Sequence, residues 1–385
     1  MMTENAKDYS LKILCVHPNF ELYGSDRSFA MAVEAIADGR PDVAIEILLP
    51  QPGPILALPP FDRLKPTFRE MWILRRRGLL RRMTLGMPKN IRALIDAHRS
   101  MAAADIVYVN TIIGIDFILM ARFSKTPVII HVREIPNGLE MSVFRRLLLW
   151  SKARLVFNSN ATRDAFRLPS GVESAVVYNG LSDPGETPPP QPSGRRMEVL
   201  VIGRLNHWKG QETVVDAVAL LPTEERERLF VRIVGGTFNN QNDFHERLDA
   251  RITEAGLAGC IRIDPFEDDP TESFRRADVV VVPSRLPEPF GRVAIEAMAH
   301  SRPVVCSGHG GLVEIVEDGV TGRLFAPSDP EGLARALREL LATPNKAEVW
   351  GEAGRRRFLG KFTNTASNTA LLTALLPATT QEHVK

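Results

Sequence analysis

The chain has 385 residues, 44% of them hydrophobic and 24% charged, and 48 Lys and Arg against 46 Asp and Glu give a formal net charge of +2. That length accommodates two domains of ordinary size, and the composition excludes a disordered or membrane-embedded chain. The near-balance of charge excludes a globally basic nucleic-acid binder and leaves any basic surface local.

The N-terminal MMTENAKDYS is polar and contains acids, with no basic n-region before an apolar stretch, so it does not read as a signal peptide. LKILCVHPN (11–19) is an apolar run ending in a turn, and VAIEILLP, ADIVYVNT, TPVIIHVRE, ARLVFNSN and SAVVYNG repeat that form as far as residue 180. Helical patterns such as RSFAMAVEAIADG and PKNIRALIDAHRSMAA lie between them. Strands apolar on both faces that alternate with helices predict a parallel sheet covered on both sides. The segment 71–95 holds Arg75, Arg76, Arg77, Arg81, Arg82, Lys89 and Arg92 and no acid, interleaved with Trp72, Leu74, Leu79 and Leu80. It reads either as a surface for an anionic membrane, as at the inner face of a cell membrane, or as a solvated helix. The most apolar stretch, 102–121, is interrupted by Asp105, Asn110 and Asp116, which argues against a membrane span.

Four prolines within 188–192 mark DPGETPPPQPSGRR as an extended linker. The expected domains are 1–182, a linker 183–195, a second domain 196–360 and a terminal segment 361–385 packed back on the first domain. The second half repeats the alternation with MEVLVIGRL, LFVRIVGG, CIRIDPF, ADVVVVPS, RPVVCSG and GRLFAPS. Two doubly wound domains are expected to bind ligand in a cleft beyond the carboxyl ends of their strands. Cys15, Cys260 and Cys306 are odd in number and far apart, which fits reduced thiols in the cytoplasm, packed as small hydrophobes.

Chemistry concentrates in the second half. GRLNHWKGQETVV places Arg204 and Lys209 after a strand and before a helix, where an Arg fork, a Lys point charge and a helix N-terminus suit a diphosphate; solvated loop residues are the alternative. PSRLPEPFGRVAIEAMA carries two carboxylates, with Pro287 and Pro289 keeping Glu288 on a loop and Glu296 falling in the helix that follows. Gly308, Gly310 and Gly311 form a turn whose N–H groups suit an anion, or simply a tight connection.

The order GR…KG, EPFGRVAIE, then PVV…GG..EIV.DG.TG.L..P.D resembles glycosyltransferase family 4, with its GT-B fold of two Rossmann-like domains facing a cleft. HVRE (131–134), FNSNAT (157–162) and VVYNG (176–180) extend the likeness into the first half. The resemblance implies a retaining, metal-independent transfer of a sugar from a nucleotide-diphosphate-sugar, with no cofactor, to a carbohydrate or lipid-linked hydroxyl. In that reading Glu296 accepts from the ribose hydroxyls and Glu288 from the donor sugar. Phe290 and Gly291 offer backbone N–H groups to that sugar, and Arg204 and Lys209 neutralise the leaving diphosphate. Gly310 and Gly311, provisionally Gly235 with Gly236, and, from the first domain, Gly24 and Ser25 bring backbone amides to the donor, and His131 faces the transferred sugar. The first domain departs from the family where YGSDRS stands for a double glycine. The rival readings are a non-catalytic nucleotide-sugar-binding protein and a GT-B epimerase.

Overall fold

The computed structural model describes residues 11–22, 24–73, 87–185, 187–190, 195–236 and 242–376. The chain divides into two compact units, one of residues 1–180 with 364–385, the other Leu181–Thr363.

In the first unit β1 (Leu11–Val16), α1 (Gly24–Gly39), β2 (Val43–Leu49), β3 (Thr67–Phe68), α2 (Met87–Ala102) and β4 (Ile106–Asn110) come in that order. They are followed by α3 (Ile115–Ala121), β5 (Val128–Val132), α4 (Leu139–Ser151), β6 (Arg154–Phe157), α5 (Asn160–Ala165) and β7 (Ser174–Val176). The second unit opens with β8 (Met197–Ile202), α6 (Gln211–Ala219), α7 (Thr223–Arg226), β9 (Leu229–Val234), α8 (Asn242–Glu254), β10 (Ile261–Asp264) and α9 (Thr271–Arg276). It continues with β11 (Val279–Val282), α10 (Arg292–Ala299), β12 (Val304–Ser307), α11 (Leu312–Ile315), β13 (Gly322–Phe325), α12 (Pro330–Ala342) and α13 (Asn345–Lys361), and α14 (Asn364–Leu375) returns to the first.

Each apolar run of the sequence is a parallel strand. The sheet orders are β3-β2-β1-β4-β5-β6-β7 and β10-β9-β8-β11-β12-β13. Strands such as Val279–Val282 are buried along their whole length, as expected for a sheet covered on both faces. In each sheet the winding direction reverses once, between β1 and β4 and between β8 and β11, and the crevice beyond the carboxyl ends of such a strand pair is where open α/β sheets hold ligands. Cys15, Cys260 and Cys306 are all buried, and burial pushes the Cys15 thiol up to about 12.

The apolar stretch 102–121 resolves into the end of α2, β4 and α3 rather than one long element. The chain turns at Thr111, which takes a φ of 72°, and Asp116 accepts the backbone N–H groups of Trp72 at 3.1 Å and Phe117 at 3.0 Å. Among the described residues no helix is long and apolar enough to cross a membrane. Proline-rich residues 181–185 and 187–190 lie with the second unit: Arg355 on α13 donates to Asp183 Oδ1 at 2.6 Å and to the Gly185 carbonyl at 3.1 Å, and Thr187 is buried. In the first unit Ser367 on α14 donates to the Tyr178 carbonyl at 2.7 Å, and Leu371 and Leu375 join the core formed by α1 and β1.

Burial pushes the Asp116 carboxyl from 3.8 up to about 7, against the hydrogen bonds from Trp72 and Phe117 that favour its charge. Between those two values the folded chain keeps a proton that the unfolded chain has released, so this group makes stability fall as pH rises from about 4 to about 7, with no further loss above. The full difference is on the order of 4 kcal/mol. Asp116→Asn is expected to flatten that slope and to raise stability at pH ~8 by about 1–3 kcal/mol after the loss of one acceptor. Urea unfolding at a series of pH values checks it, and an unchanged slope in the variant contradicts it.

Candidate active site

The reversal point of the second sheet is flanked by the two loops that the sequence singled out. One follows β8 and carries Arg204 and Lys209; the other follows β11 and carries Glu288. Arg285 N–H donates to the Trp208 carbonyl at 2.7 Å, which ties the loops together. The tie demands a glycine at 210, which has a φ of 75° and where a Cβ would lie 2.0 Å from the Pro283 carbonyl oxygen.

This close approach places Lys209 Nζ 2.5 Å from Glu288 Oε1, and the Ser284 hydroxyl donates to the same oxygen at 2.5 Å. The two side chains are 19% and 9% exposed, so the pair is largely withdrawn from water. Lys209 Nζ also sits 4.4 Å from the Trp208 ring centroid, and Asn206 Oδ1 accepts its backbone N–H at 3.1 Å. Arg204 is exposed on the same loop, its carbonyl accepting from Gln211 Nε2 at 3.0 Å. Glu288 is on a loop and Glu296 on α10, as the two prolines predict. Glu296 lies one turn after Arg292, whose Nε donates to Glu296 Oε1 at 2.7 Å.

In the glycine turn at 308–311, two of the three glycine N–H groups expected to face an anion are engaged by the backbone. Gly311 N–H donates to the Glu288 carbonyl at 2.8 Å and Gly308 N–H to the Phe325 carbonyl at 2.7 Å, so these donors are spent on the protein's own backbone. Gly310, with a φ of 61°, packs so closely that a Cβ would meet the Glu288 carbonyl oxygen at 2.4 Å, while Phe290 is buried beside Gly311. The turn is the platform that shapes the Glu288–Phe290 loop, and Gly291 then caps α10 with a φ of 110°. Gly310→Ala is therefore expected to cost about 1–3 kcal/mol and to displace Glu288. A thermal midpoint equal to wild type would contradict that.

Gly235 is likewise engaged, its N–H donating to the Asp264 carbonyl at 3.1 Å. Gly236 lies beside Phe266, an aromatic ring 65% exposed at the carboxyl end of β10. Sequence reasoning passed over Phe266, although IRIDPF places an aromatic residue directly beyond a strand.

In the first unit Gly24 and Ser25 open α1 itself rather than lying in the loop before it, and nothing lies within 4 Å of a Cβ at Gly24. Close packing does not require that glycine. What occupies the reversal point is a buried polar network that the sequence did not disclose. His17 Nε2 donates to Asp26 Oδ1 at 2.8 Å, and Asn110 Nδ2 donates to His17 Nδ1 at 3.0 Å. Arg133 Nε donates to Asn110 Oδ1 at 2.5 Å, Arg133 Nη1 to Asn179 Oδ1 at 2.6 Å, and Arg133 Nη2 to His131 Nδ1 at 3.2 Å.

An arginine can only donate. His131 Nδ1 is therefore an acceptor, and the neutral ring carries its proton on Nε2, an atom without a hydrogen-bond partner among the described residues, in a residue that lines a small cavity between α1, residues 177–180 and α14. Burial and the Arg133 charge hold His131 well below the usual histidine range, so it is a neutral donor and not a cation at neutral pH. Beside it, burial pushes the Glu134 carboxyl up to about 7. Its motif HVRE is legible in the sequence, but burial is not.

The fold is that of GT-B glycosyltransferases. It is shared with the Anabaena protein HepE in complex with UDP and glucose, at a TM-score of 0.79 and 22% identity over 95% of this chain and 100% of that one. Sucrose-phosphate synthase from Thermosynechococcus elongatus shares it at a TM-score of 0.74 and 21% identity, over 93% and 96% of the two chains. Residues 187–357, which make up most of the second unit, match the family described as glycosyl transferases group 1. A D-inositol 3-phosphate glycosyltransferase of Streptomyces coelicolor is 36% identical over 41% of this chain and 35% of its own length. A glycogen synthase of Mycobacterium tuberculosis is 36% identical over 50% and 46%. These matches span between about a third and a half of the curated relatives they touch.

Proposed function

We propose that the chain is a retaining, metal-independent glycosyltransferase of family 4 that moves a sugar from a nucleotide-diphosphate-sugar to a hydroxyl acceptor in polysaccharide or glycolipid synthesis, in the cytoplasm or at the inner face of its membrane. The observation that carries this reading is the Lys209–Glu288–Ser284 contact at the reversal point of the second sheet, one loop away from the helix that bears Glu296. A carboxylate and a cation held in contact are poised to separate onto two parts of one ligand. Glu288 turns to sugar hydroxyls, while Lys209 and Arg204 turn to the diphosphate that departs.

Glu296 exchanges or shares its Arg292 partner to accept from a vicinal diol such as ribose. Phe266 offers a flat apolar face to a nucleobase. His131 donates from Nε2 to the transferred sugar. The acceptor hydroxyl attacks on the face that the nucleotide leaves, and a departing phosphate oxygen takes its proton. The cationic side chains meet the charge of the leaving group. HepE, a protein of similar fold, is described in complex with UDP and glucose, which makes a uridine diphosphate sugar the first donor to try.

The test is thermal unfolding, with a chelator present, against UDP-, GDP-, ADP- and dTDP-sugars. One donor class is expected to raise the midpoint of the wild type and to lose that effect in Glu296→Ala. If no nucleotide-sugar stabilises the wild type, the donor site assigned here is refuted.

The acceptor-side expectation for 71–95 falls partly on residues 74–86, which lie outside the described residues. Its described part enters the surface considered next.

A further inference from the structure

The outward face of α4 does not match its place on a soluble domain. Phe144, Leu148 and Ser151 face the core, yet Leu139, Val143 and Trp150, together with Arg146, recur at steps of four, three and four on the opposite, exposed side. A helix amphipathic only toward its core would carry polar residues there. Phe123, 60% exposed in the turn after α3, meets the Trp150 ring edge-on at 5.6 Å, which extends the apolar stripe off the helix. On α2, which packs beside α3, the core face is Ala93, Ala97 and Met101, and Ile91 and Ile95 are exposed opposite it.

The fully exposed charge on this side is almost all basic, with Asp96 and Glu140 half-buried on α2 and α4. Arg92, Arg99, Arg122, Lys125, Arg146 and Lys152 are exposed, whereas Asp105 is the one exposed acid among the described residues of 87–152. Four of those cations lie close in sequence to the Phe123–Trp150 pair: Arg122 and Lys125 in the turn, Arg146 on α4 and Lys152 directly after it. Exposed aromatic and aliphatic side chains set among cations match a bilayer interface with anionic headgroups. The same excess of basic charge disfavours self-association through this face, because a second copy would bring like charges together.

We infer that the outward faces of α2 and α4, with the turn carrying Phe123, dock on the surface of a bilayer containing anionic lipid. This names a surface for the inner-face alternative of the proposed function and does not depend on sugar transfer. Docking rests on two interactions with different salt behaviour. The headgroup attraction of the cations weakens with ionic strength, and the insertion of Phe123, Trp150, Leu139 and Val143 does not.

The experiment is co-sedimentation of the full chain with vesicles of phosphatidylcholine alone or with phosphatidylglycerol, without donor or acceptor. Wild type is expected to bind the anionic vesicles at low salt and to bind the zwitterionic ones weakly. The charge variant Arg122→Glu with Lys125→Glu and the apolar variant Phe123→Ser with Trp150→Gln are each expected to weaken binding about tenfold or more. The charge variant alters only exposed side chains and is expected to keep the wild-type thermal midpoint, so it decides the matter if the aromatic variant is poorly folded. Absence of binding at low salt, or binding left unchanged by the charge variant, overturns the inference. Self-association in sedimentation that the aromatic variant abolishes, without vesicle binding by wild type, also overturns it and gives the face to a second copy. Because no sugar is transferred in this assay, a failure here leaves the donor site untouched, and a failure of the donor site leaves this result standing.

Discussion

Glu288→Gln is expected to lower the rate of sugar transfer by about a thousandfold while leaving affinity for the nucleoside diphosphate unchanged or slightly tighter. The variant keeps the side-chain shape but removes the charge that Lys209 Nζ meets at 2.5 Å, and it offers one acceptor oxygen to a sugar diol where the carboxylate offers two. Freed of its partner, Lys209 turns wholly to the phosphates, which accounts for the opposite signs of the two effects. The Ser284 hydroxyl, 2.5 Å from Oε1, keeps an acceptor in the amide oxygen, so folding is expected to survive. Initial rates and a diphosphate titration on the same preparation separate the two quantities. Weaker diphosphate binding with an unchanged rate would exchange the roles assigned to the two residues.

Lys209→Met has the complementary effect. Removing the cation leaves the largely buried Glu288 carboxylate with Ser284 as its remaining partner among the contacts described above, and half of a largely buried ion pair is costly to strand. Stability is expected to fall by about 2–4 kcal/mol and diphosphate affinity by about a hundredfold. Adding Glu288→Gln to Lys209→Met should recover part of the lost stability, because the stranded charge is removed with its partner, with a coupling of about 1–3 kcal/mol. Urea unfolding of the four proteins in this cycle measures the coupling. Additive losses would mean that the two side chains do not support each other in the folded state.

The sequence is a good guide to the sheets because parallel strands buried on both faces announce themselves as short apolar runs such as VVVV and VVCS. It is a poorer guide to α4 and α14. Leu139, Val143 and Trp150 make the outer side of α4 as apolar as its inner side, which erases the contrast that periodicity reads. α14 is nearly uniform around its axis, NTASNTALLTAL, and its placement depends on Ser367 and Leu371 meeting residues far away in the sequence.

In the site, residue type and spacing carried Glu288, Glu296, Arg204 and Lys209 to the right elements. They did not show that Lys209 and Glu288 touch, since that contact depends on Gly210 lying against Pro283. Gly235 and Gly311 read as anion-binding turns, but their N–H groups are bound to Asp264 and Glu288 carbonyls, and close backbone packing explains the residue type. The network from Asp26 through His17, Asn110 and Arg133 to His131 was invisible because its members come from four separate segments, brought together where the first sheet reverses its winding.

The most direct measurement of the central claim is the release of nucleoside diphosphate from the donor that stabilises the protein, followed with a chelator present and with candidate hydroxyl acceptors added. The account predicts acceptor-dependent release by the wild type, lost in Glu288→Gln although that variant still binds the diphosphate. A wild type that binds the donor tightly yet releases no diphosphate with any polysaccharide or lipid-linked acceptor would contradict it and make the chain a nucleotide-sugar-binding protein.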